Sequence, residues 1–140
     1  MKAKSIKGNS PEEIKAALAN GMADGYAPTL AFVFITQTED AEPMQAMLNA
    51  AGIAIFGAST SEKFTEQGME SDGIVVLLLD MPPACFSIVL KDFDSKTPHE
   101  SARQVGEAGV QAFKNPAFII SSNDIRIPGE EVISGLMDAA

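Results

Sequence analysis

The sequence predicts an α/β fold in which a mixed, mostly parallel β-sheet is flanked by helices. Apolar runs rich in β-branched and aromatic residues, Thr29–Ile35 and Ile53–Phe56, are typical of strands covered on both faces. Segments with helical periodicity and N-cap signatures separate these runs. Two further apolar runs, Ile74–Asp80 and Ala84–Phe93, are joined by only three residues, which is too short for a crossover, so we expect them to pair antiparallel. Residues 1–140 are within the usual size of one domain.

The first segment predicts a short edge strand in "AKSIK", followed by a helix that begins at Ser10. Ser10 is the expected N-cap, Pro11 takes the first helical position and Glu13 completes a capping box. An apolar stripe marks the buried face, and Gly21 fits the residue just past the helix end. The members of that stripe are Ile14, Ala17 and Leu18.

The second helix is predicted within residues 38–52, between the strands Thr29–Ile35 and Ile53–Phe56. The first half of the chain therefore has the order β-α-β-α-β with short links, which favours parallel strands with crossover helices. The face expected to be buried consists of Met44, Met47, Leu48 and Ala51, and Gly52 ends the helix.

The second half begins with a polar, acidic segment, Glu62–Gly73, for which a solvated surface loop is expected. Cys85 falls within an apolar run and is expected to be inert core filler. A helix at 97–113 is predicted from Thr97 as cap, Pro98 and Glu100, with Ala102, Val105, Gly109 and Ala112 on its buried face. A short strand, Ala117–Ile120, and a last helix at 129–140 follow. The apolar face of that helix is expected to consist of Val132, Ile133, Leu136 and Met137.

The composition excludes several classes of function. The net charge is −9 and the ten Lys and Arg are scattered, so binding to nucleic acid or to anionic lipid is not expected. A single cysteine allows no internal disulfide and no zinc cluster. The apolar runs are too short to span a membrane, and no signal peptide is recognisable, which favours a cytoplasmic location.

Polar side chains follow three of the predicted strands, at the point where each strand ends. Ligands of open α/β sheets bind outside the carboxyl ends of the parallel strands, so these groups are expected to converge on one rim. They offer hydroxyl and amide groups but no cation. The alternative is that they only cap helices, because Ser, Thr, Asn and Asp are common in such loops. The candidate ligand-binding residues are Thr36, Gly57, Ser59, Thr60, Ser61, Ser121, Ser122, Asn123 and Asp124.

Catalytic and cofactor motifs are not found in this pattern. "GASTS" (57–61) lacks the second glycine of a nucleophile elbow, and the single histidine, His99, lies in the first turn of a predicted helix. Neither the P-loop pattern nor the Rossmann glycine pattern occurs. No catalytic residue, metal or cofactor is therefore assigned. An enzyme that uses Ser59 or Asp124 remains an alternative, and it would need a base within hydrogen-bond reach.

Three segments together resemble the N-terminal part of FIST domains: "APTLAFVFIT", then "IAIFGASTSEKF", then "GIVVLLLD". In that family a strand of the "LAFVF" type is followed by a helix and by a strand that ends in a Gly-x-Ser-Thr turn. Glu62 and Lys63 stand where the family commonly has Gly-Glu. The late segment "AFIISSNDIRIPGEEVISGL" is also similar to the family's strand, loop and acidic helix start.

The resemblance implies a sensory domain for a small ligand, with an amino acid as the usual suggestion. It also implies that this chain is part of a longer protein that continues with a C-terminal FIST segment, which, with a downstream signalling protein, is an expected partner. From the positions of the strand ends, we expect Gly57, Ser59, Thr60 and Ser61 to hold the polar head of the ligand. Residues 121–124 are expected to form the facing wall, with Asp124 pairing with the ammonium group of an amino acid. A non-catalytic assembly module, pairing through the edge strand near "AKSIK", is the other alternative, and an oligomer is compatible with the sequence.

Overall fold

The computed structural model describes residues 1–92, 97–121 and 128–139, and the chain divides into two units, Met1–Phe86 and Ser87–Ala140. The first unit contains two helices and six strands, and the second contains two helices within its described residues. In chain order the elements are β1 (Ala3–Gly8), α1 (Pro11–Met22), β2 (Leu30–Ile35), α2 (Ala41–Ala50), β3 (Ala54–Ser59), β4 (Lys63–Thr65), β5 (Gly68–Glu70), β6 (Ile74–Leu79), α3 (Pro98–Ala112) and α4 (Gly129–Asp138).

The main sheet of the first unit has the order β1-β6-β2-β3. β2 and β3 are parallel, and β6 is antiparallel to both of its neighbours, β1 and β2. β1, β2 and β3 therefore run in the same direction, and the predicted α/β class with a mixed sheet is confirmed. β1 is an edge strand, as expected. β6 does pair antiparallel, but with β1 and β2, so its predicted pairing with Ala84–Phe93 is wrong.

The N-terminus of α1 forms as its sequence predicts. Ser10 Oγ accepts a hydrogen bond from the Glu13 amide at 3.3 Å, and the Glu13 carboxylate accepts one from the Asn9 amide at 2.8 Å. Two backbone N–H groups near the helix start are thereby satisfied. The predicted end is wrong, because Gly21 lies inside the helix and the residue with positive φ after it is Gly25 (φ 81°).

The core of the first unit lies between one face of the sheet and the two helices. Ile14 and Leu18 of α1 and Met44 and Leu48 of α2 are buried there, as the helical spacing predicts, whereas Ala51 is exposed. Burying a side chain of this size contributes about 1.5–3 kcal/mol. The full cluster is Ile14, Leu18, Tyr26, Ala31, Val33, Ile35, Met44, Leu48, Ile53, Ile74, Val76 and Leu78.

Two apolar runs that predict strands do not form them. Residues 83–92 contain only a short 3-10 turn at Pro83–Cys85 followed by irregular backbone, and residues 117–120 are irregular and exposed. Cys85 is exposed, so its expected burial is also wrong. A strand needs a neighbour that pairs with its N–H and C=O groups, and β6 already has β1 and β2 on its two sides. The remainder of the predicted run, at Phe93, lies outside the described residues.

In the second unit α3 packs closely on α4. A Cβ atom placed on Gly135 of α4 would lie 2.2 Å from the backbone oxygen of His99, so the helices approach backbone to backbone. The predicted buried faces are correct only in part. On α3, Ala102 is buried and Ala112 is exposed, and on α4, Val132 is buried while Met137 is 71% exposed. The other members of the predicted faces are Val105, Gly109 and Leu136, which are half-buried, and Ile133, which is exposed.

The start of α3 differs from the predicted capping box. Thr97 makes no side-chain capping bond within the described residues, and the Glu100 carboxylate instead accepts two hydrogen bonds from the Arg103 guanidinium, both at 2.9 Å. These bonds, together with one from Gln104, hold the pKa of Glu100 at about 2, below its ordinary value of 4.5. The Arg103 bonds favour the charged carboxylate in the folded state.

The Glu100–Arg103 pair predicts that its contribution to the stability of the fold changes only at acid pH. The pKa of Glu100 is lower in the folded state than in the unfolded state. The stabilisation that the Arg103 bonds provide is therefore present above pH 4.5 and is lost as the pH falls from 4.5 to about 2. Arg103→Gln should raise the pKa of Glu100 toward 4.5, as measured by NMR titration of the side-chain carboxyl carbon. Glu107→Gln is the matched control, because it removes the other partner of Arg103 and leaves the two bonds to Glu100 in place. A wild-type Glu100 that titrates near its ordinary value would contradict this assignment.

Candidate ligand site at the ends of β2 and β3

Thr36 follows β2 directly and lies at the carboxyl end of the sheet, as predicted. Its amide donates to Gly73 O at 3.2 Å, and its hydroxyl lies 3.3 Å from Ser71 O and 3.4 Å from Gly73 O. The neighbouring strand β3 ends beside it, because Ser59 is in register with Ile35 and the Thr60 amide donates to Ile35 O at 2.9 Å. Two of the three predicted loops therefore meet at one rim.

The hydroxyls of Ser59, Thr60 and Ser61 have different roles. The Thr60 hydroxyl bonds locally, since it donates to Glu62 O at 2.9 Å and accepts from the Glu62 amide at 3.4 Å. This is the side-chain turn that Ser and Thr commonly make in loops. Ser59 and Ser61 are exposed. The hydroxyl cluster is therefore partly a turn and partly a pair of hydroxyls that face solvent.

Gly57 lies inside β3 rather than at its end, because the strand continues to Ser59. The predicted strand end at Phe56 is wrong by three residues. A Cβ atom at position 57 would lie 2.2 Å from Val33 O, the carbonyl of its partner residue on β2. This close approach of two backbones accounts for the glycine without any ligand.

Lys63 lies at this rim although its sequence context does not mark it as a site residue. It is the first residue of β4, and it is only 4% exposed although lysine is almost never buried without a partner. Its Nζ donates to Thr36 Oγ1 and lies 3.5 Å from Ser71 O. Both partners are uncharged. Among the described residues, no carboxylate oxygen lies within 4.0 Å of this ammonium group.

The burial of Lys63 follows from the β4–β5 hairpin, which is defined here as residues 62–72. We expected a surface loop in this segment, but Lys63 pairs with Glu70, Phe64 with Met69 and Thr65 with Gly68. Because successive side chains of a strand point to opposite faces, Lys63 points inward and Phe64 points outward. One signal in the sequence could have predicted this hairpin. In "KFT" and "GME" an apolar residue stands at the centre of each strand, and the two residues Glu66 and Gln67 between them form the turn.

An ion pair holds the hairpin to the edge strand as well. Lys7 of β1 contacts the Glu70 carboxylate. A concave region of about 570 Å³ lies along β1 and is lined by Lys4, Ser5, Glu66 and Leu77, among others. A second one, of about 210 Å³, adjoins it. Neither of these two regions is lined by the predicted hydroxyl residues.

The third predicted loop belongs to the second unit. Ser121 is exposed, and Ser122, Asn123 and Asp124 lie outside the described residues. The strand expected to lead into this loop does not form at 117–120. Its role as a facing wall, and the pairing of Asp124 with an ammonium group, stay predictions.

Within the described ranges no group of three or more His, Cys, Asp or Glu side chains converges on a point that could hold a metal ion. No described helix has both the length and the apolar character needed to cross a membrane. His99 lies in α3, where its Nε2 is 2.9 Å from a carboxylate oxygen of Asp138 on α4.

Comparison with known proteins gives one match. The family model of the FIST N domain matches residues 29–140, a range that begins just before β2 and includes the hydroxyl cluster and Lys63. No curated protein and no solved structure matches the chain. The matched range covers most of the sequence and agrees with the resemblance carried by "APTLAFVFIT" and "IAIFGASTSEKF". The chain therefore belongs to the FIST N domain family, a family of sensory, non-catalytic signal-transduction domains.

Proposed function

We propose that this domain senses a small ligand that carries a carboxylate, such as an amino acid, and that the carboxylate binds where β2 and β3 end. The observation that supports this most directly is Lys63. A buried ammonium group whose hydrogen-bond partners are all uncharged costs free energy, because no carboxylate contacts it to offset the loss of its hydration. A ligand carboxylate in contact with Nζ would supply that opposite charge.

The neighbours of Lys63 suit the same ligand. A lysine ammonium has three donors, and the Thr36 hydroxyl and Ser71 carbonyl account for two of them. The exposed hydroxyls of Ser59 and Ser61 are close along the chain and can donate to a carboxylate oxygen. The net charge of −9 disfavours polyanionic ligands, so one carboxylate near one buried cation is the preferred chemistry.

Sensing also requires that the ligand favour one arrangement of the protein over another. Lys63 is only 4% exposed, so a ligand reaches its ammonium group only if the hairpin that carries it shifts. Binding at Lys63 would then be coupled to the position of residues 62–72. This coupling is the property that distinguishes a sensor from a passive binding site.

A thermal-shift screen over the amino acids and small carboxylates tests the ligand class. A ligand present at about 100 times its dissociation constant stabilises the folded state by about 2.7 kcal/mol, which raises the melting temperature by several degrees. We expect stabilisation by at least one carboxylate and none by its uncharged amide. A stabilising amide would contradict the role of the carboxylate, and a screen in which no carboxylate shifts the melting temperature would contradict the proposal as a whole.

A further inference from the structure

The outward face of the β4–β5 hairpin carries two large apolar side chains. Phe64 is 79% exposed and Met69 is 69% exposed, and they are direct partners across the hairpin. Directly opposite residues on one face have Cβ atoms about 4.5–5.5 Å apart, so the two side chains form one continuous patch. Besides Met1, they are the only strongly exposed large apolar side chains in residues 1–86, all of which are described.

This patch is not what attaches the hairpin to the rest of the unit. The inward face already supplies the contacts that hold it, through Lys63 to Thr36 and through Glu70 to Lys7. A solvated face of an antiparallel pair is normally polar, so Phe64 and Met69 are unusual there. Apolar side chains concentrated at one exposed place commonly mark an interaction site.

The charges of the segment that carries the patch favour one kind of partner. Glu62, Glu66 and Asp72 of residues 62–72 are exposed, and within the described part of the chain none of them has an ion-pair partner. The cation of this segment, Lys63, points inward. A partner that complements the surface presents apolar side chains flanked by Lys or Arg.

The same charges disfavour two other occupants. A second copy that used the same patch about a two-fold axis would bring the acidic side chains of both copies together. An anionic membrane surface would repel them as well. We propose that the outward face of residues 62–72, centred on Phe64 and Met69, is a docking surface for a basic, apolar segment of a partner protein.

The position of the patch connects it to the ligand site. Lys63 and Phe64 are adjacent on β4 and point to opposite faces, so a shift of the hairpin at Lys63 also moves Phe64. Only this coupling rests on the proposed ligand; the docking surface itself rests on the exposure, the pairing and the charges of the hairpin. A failed ligand screen therefore leaves the docking proposal standing.

The test is an NMR titration of the ¹⁵N-labelled chain with a short synthetic peptide of alternating leucine and lysine. We expect chemical-shift changes centred on residues 62–72. A Phe64→Ser, Met69→Ser variant should bind the peptide at least about tenfold more weakly, because it lacks both apolar side chains of the patch. A tenfold loss of affinity corresponds to about 1.4 kcal/mol of binding free energy. The matched control is Ile133→Ser, Met137→Ser in α4, which removes two comparably exposed apolar side chains and should bind like the wild type.

Four results would overturn the proposal. The first is no binding of the leucine–lysine peptide. The second is equal binding of a serine–lysine peptide, which would show attraction to net charge alone. The third is equal affinity of the hairpin variant and the wild type. The fourth is a dependence of the hairpin resonances on protein concentration, which would identify a second copy of the chain as the occupant.

Discussion

Replacing Lys63 with methionine should abolish the ligand-induced rise in melting temperature and leave the unliganded domain folded. Methionine keeps the length and the apolar stem of the side chain but removes the charge and its donors. All of the roughly 2.7 kcal/mol expected from a ligand at about 100 times its dissociation constant should be lost. The measurement is the thermal shift of the variant with the carboxylate that stabilises the wild type.

The stability of the unliganded Lys63→Met variant is a second readout of the same change. The variant loses hydrogen bonds to Thr36 and Ser71 but no longer buries an ammonium group. Replacement of buried charged groups by apolar ones of similar volume is commonly neutral or stabilising, so the free energy of unfolding should fall by no more than about 1 kcal/mol. A buried lysine that does not stabilise the fold is typical of a functional group.

Lys15→Met is the matched control for this substitution. Lys15 lies on α1 and is exposed, so the control removes the same charge from the surface. The control should respond to the ligand as the wild type does. If Lys63→Met responds to the ligand as fully as Lys15→Met, the carboxylate does not bind at Lys63. If instead the variant unfolds much more easily and no carboxylate stabilises the wild type, Lys63 has a structural role that fastens the hairpin to β2.

Adding one methyl group at Gly135 should destabilise the packing of α3 on α4. The Cβ atom of alanine would lie 2.2 Å from His99 O and 2.9 Å from the Ala102 Cβ, and a backbone carbonyl cannot move aside as a flexible side chain can. Overpacking of this kind costs about 1–3 kcal/mol. Alanine in a helix interior gains about 1 kcal/mol over glycine, so we expect a net loss of up to about 2 kcal/mol for Gly135→Ala.

Gly129→Ala tests whether the loss comes from the contact or from the substitution itself. Gly129 begins the same helix, and a Cβ atom there would meet nothing within 4 Å. This variant should be as stable as the wild type or slightly more stable. Amide hydrogen exchange in α3 and α4 measures both changes, with faster exchange expected for Gly135→Ala alone. Equal protection in the two variants would show that the helices do not approach as closely as described.

The elements predicted correctly are those whose signals are local. Ser10, Pro11 and Glu13 start α1 wherever the helix lies in the fold, because the capping groups and the amides they satisfy are within four residues of one another. The buried positions of α2, Met44 and Leu48, follow from helical spacing in the same way. Hydroxyl groups at the ends of β2 and β3 also follow from sequence once those strands are parallel.

The predictions that failed depend on partners distant in sequence. The apolar runs at 84–92 and 117–120 have strand-like composition, but composition supplies no neighbouring strand to pair with their backbone groups. The position of β6 between β1 and β2 likewise depends on pairing with residues about 40 or more positions away along the chain, as in Leu30 with Leu79. Short-range patterns do not determine which strands become neighbours.

By itself the sequence determined the family, the α/β class, the N-terminal cap of α1, most of the core faces of α1 and α2 and the hydroxyls at the rim, because residues near one another in the chain carry those signals. Only the tertiary structure decided that Lys63 is buried. A lysine beside Glu62 predicts an exposed charge, and its burial depends on a hairpin that folds back so that Nζ meets Thr36, 27 positions earlier in the chain. The site predicted from the sequence had no cation. The fold supplies Lys63, because it brings this residue next to Thr36 from a separate segment of the chain.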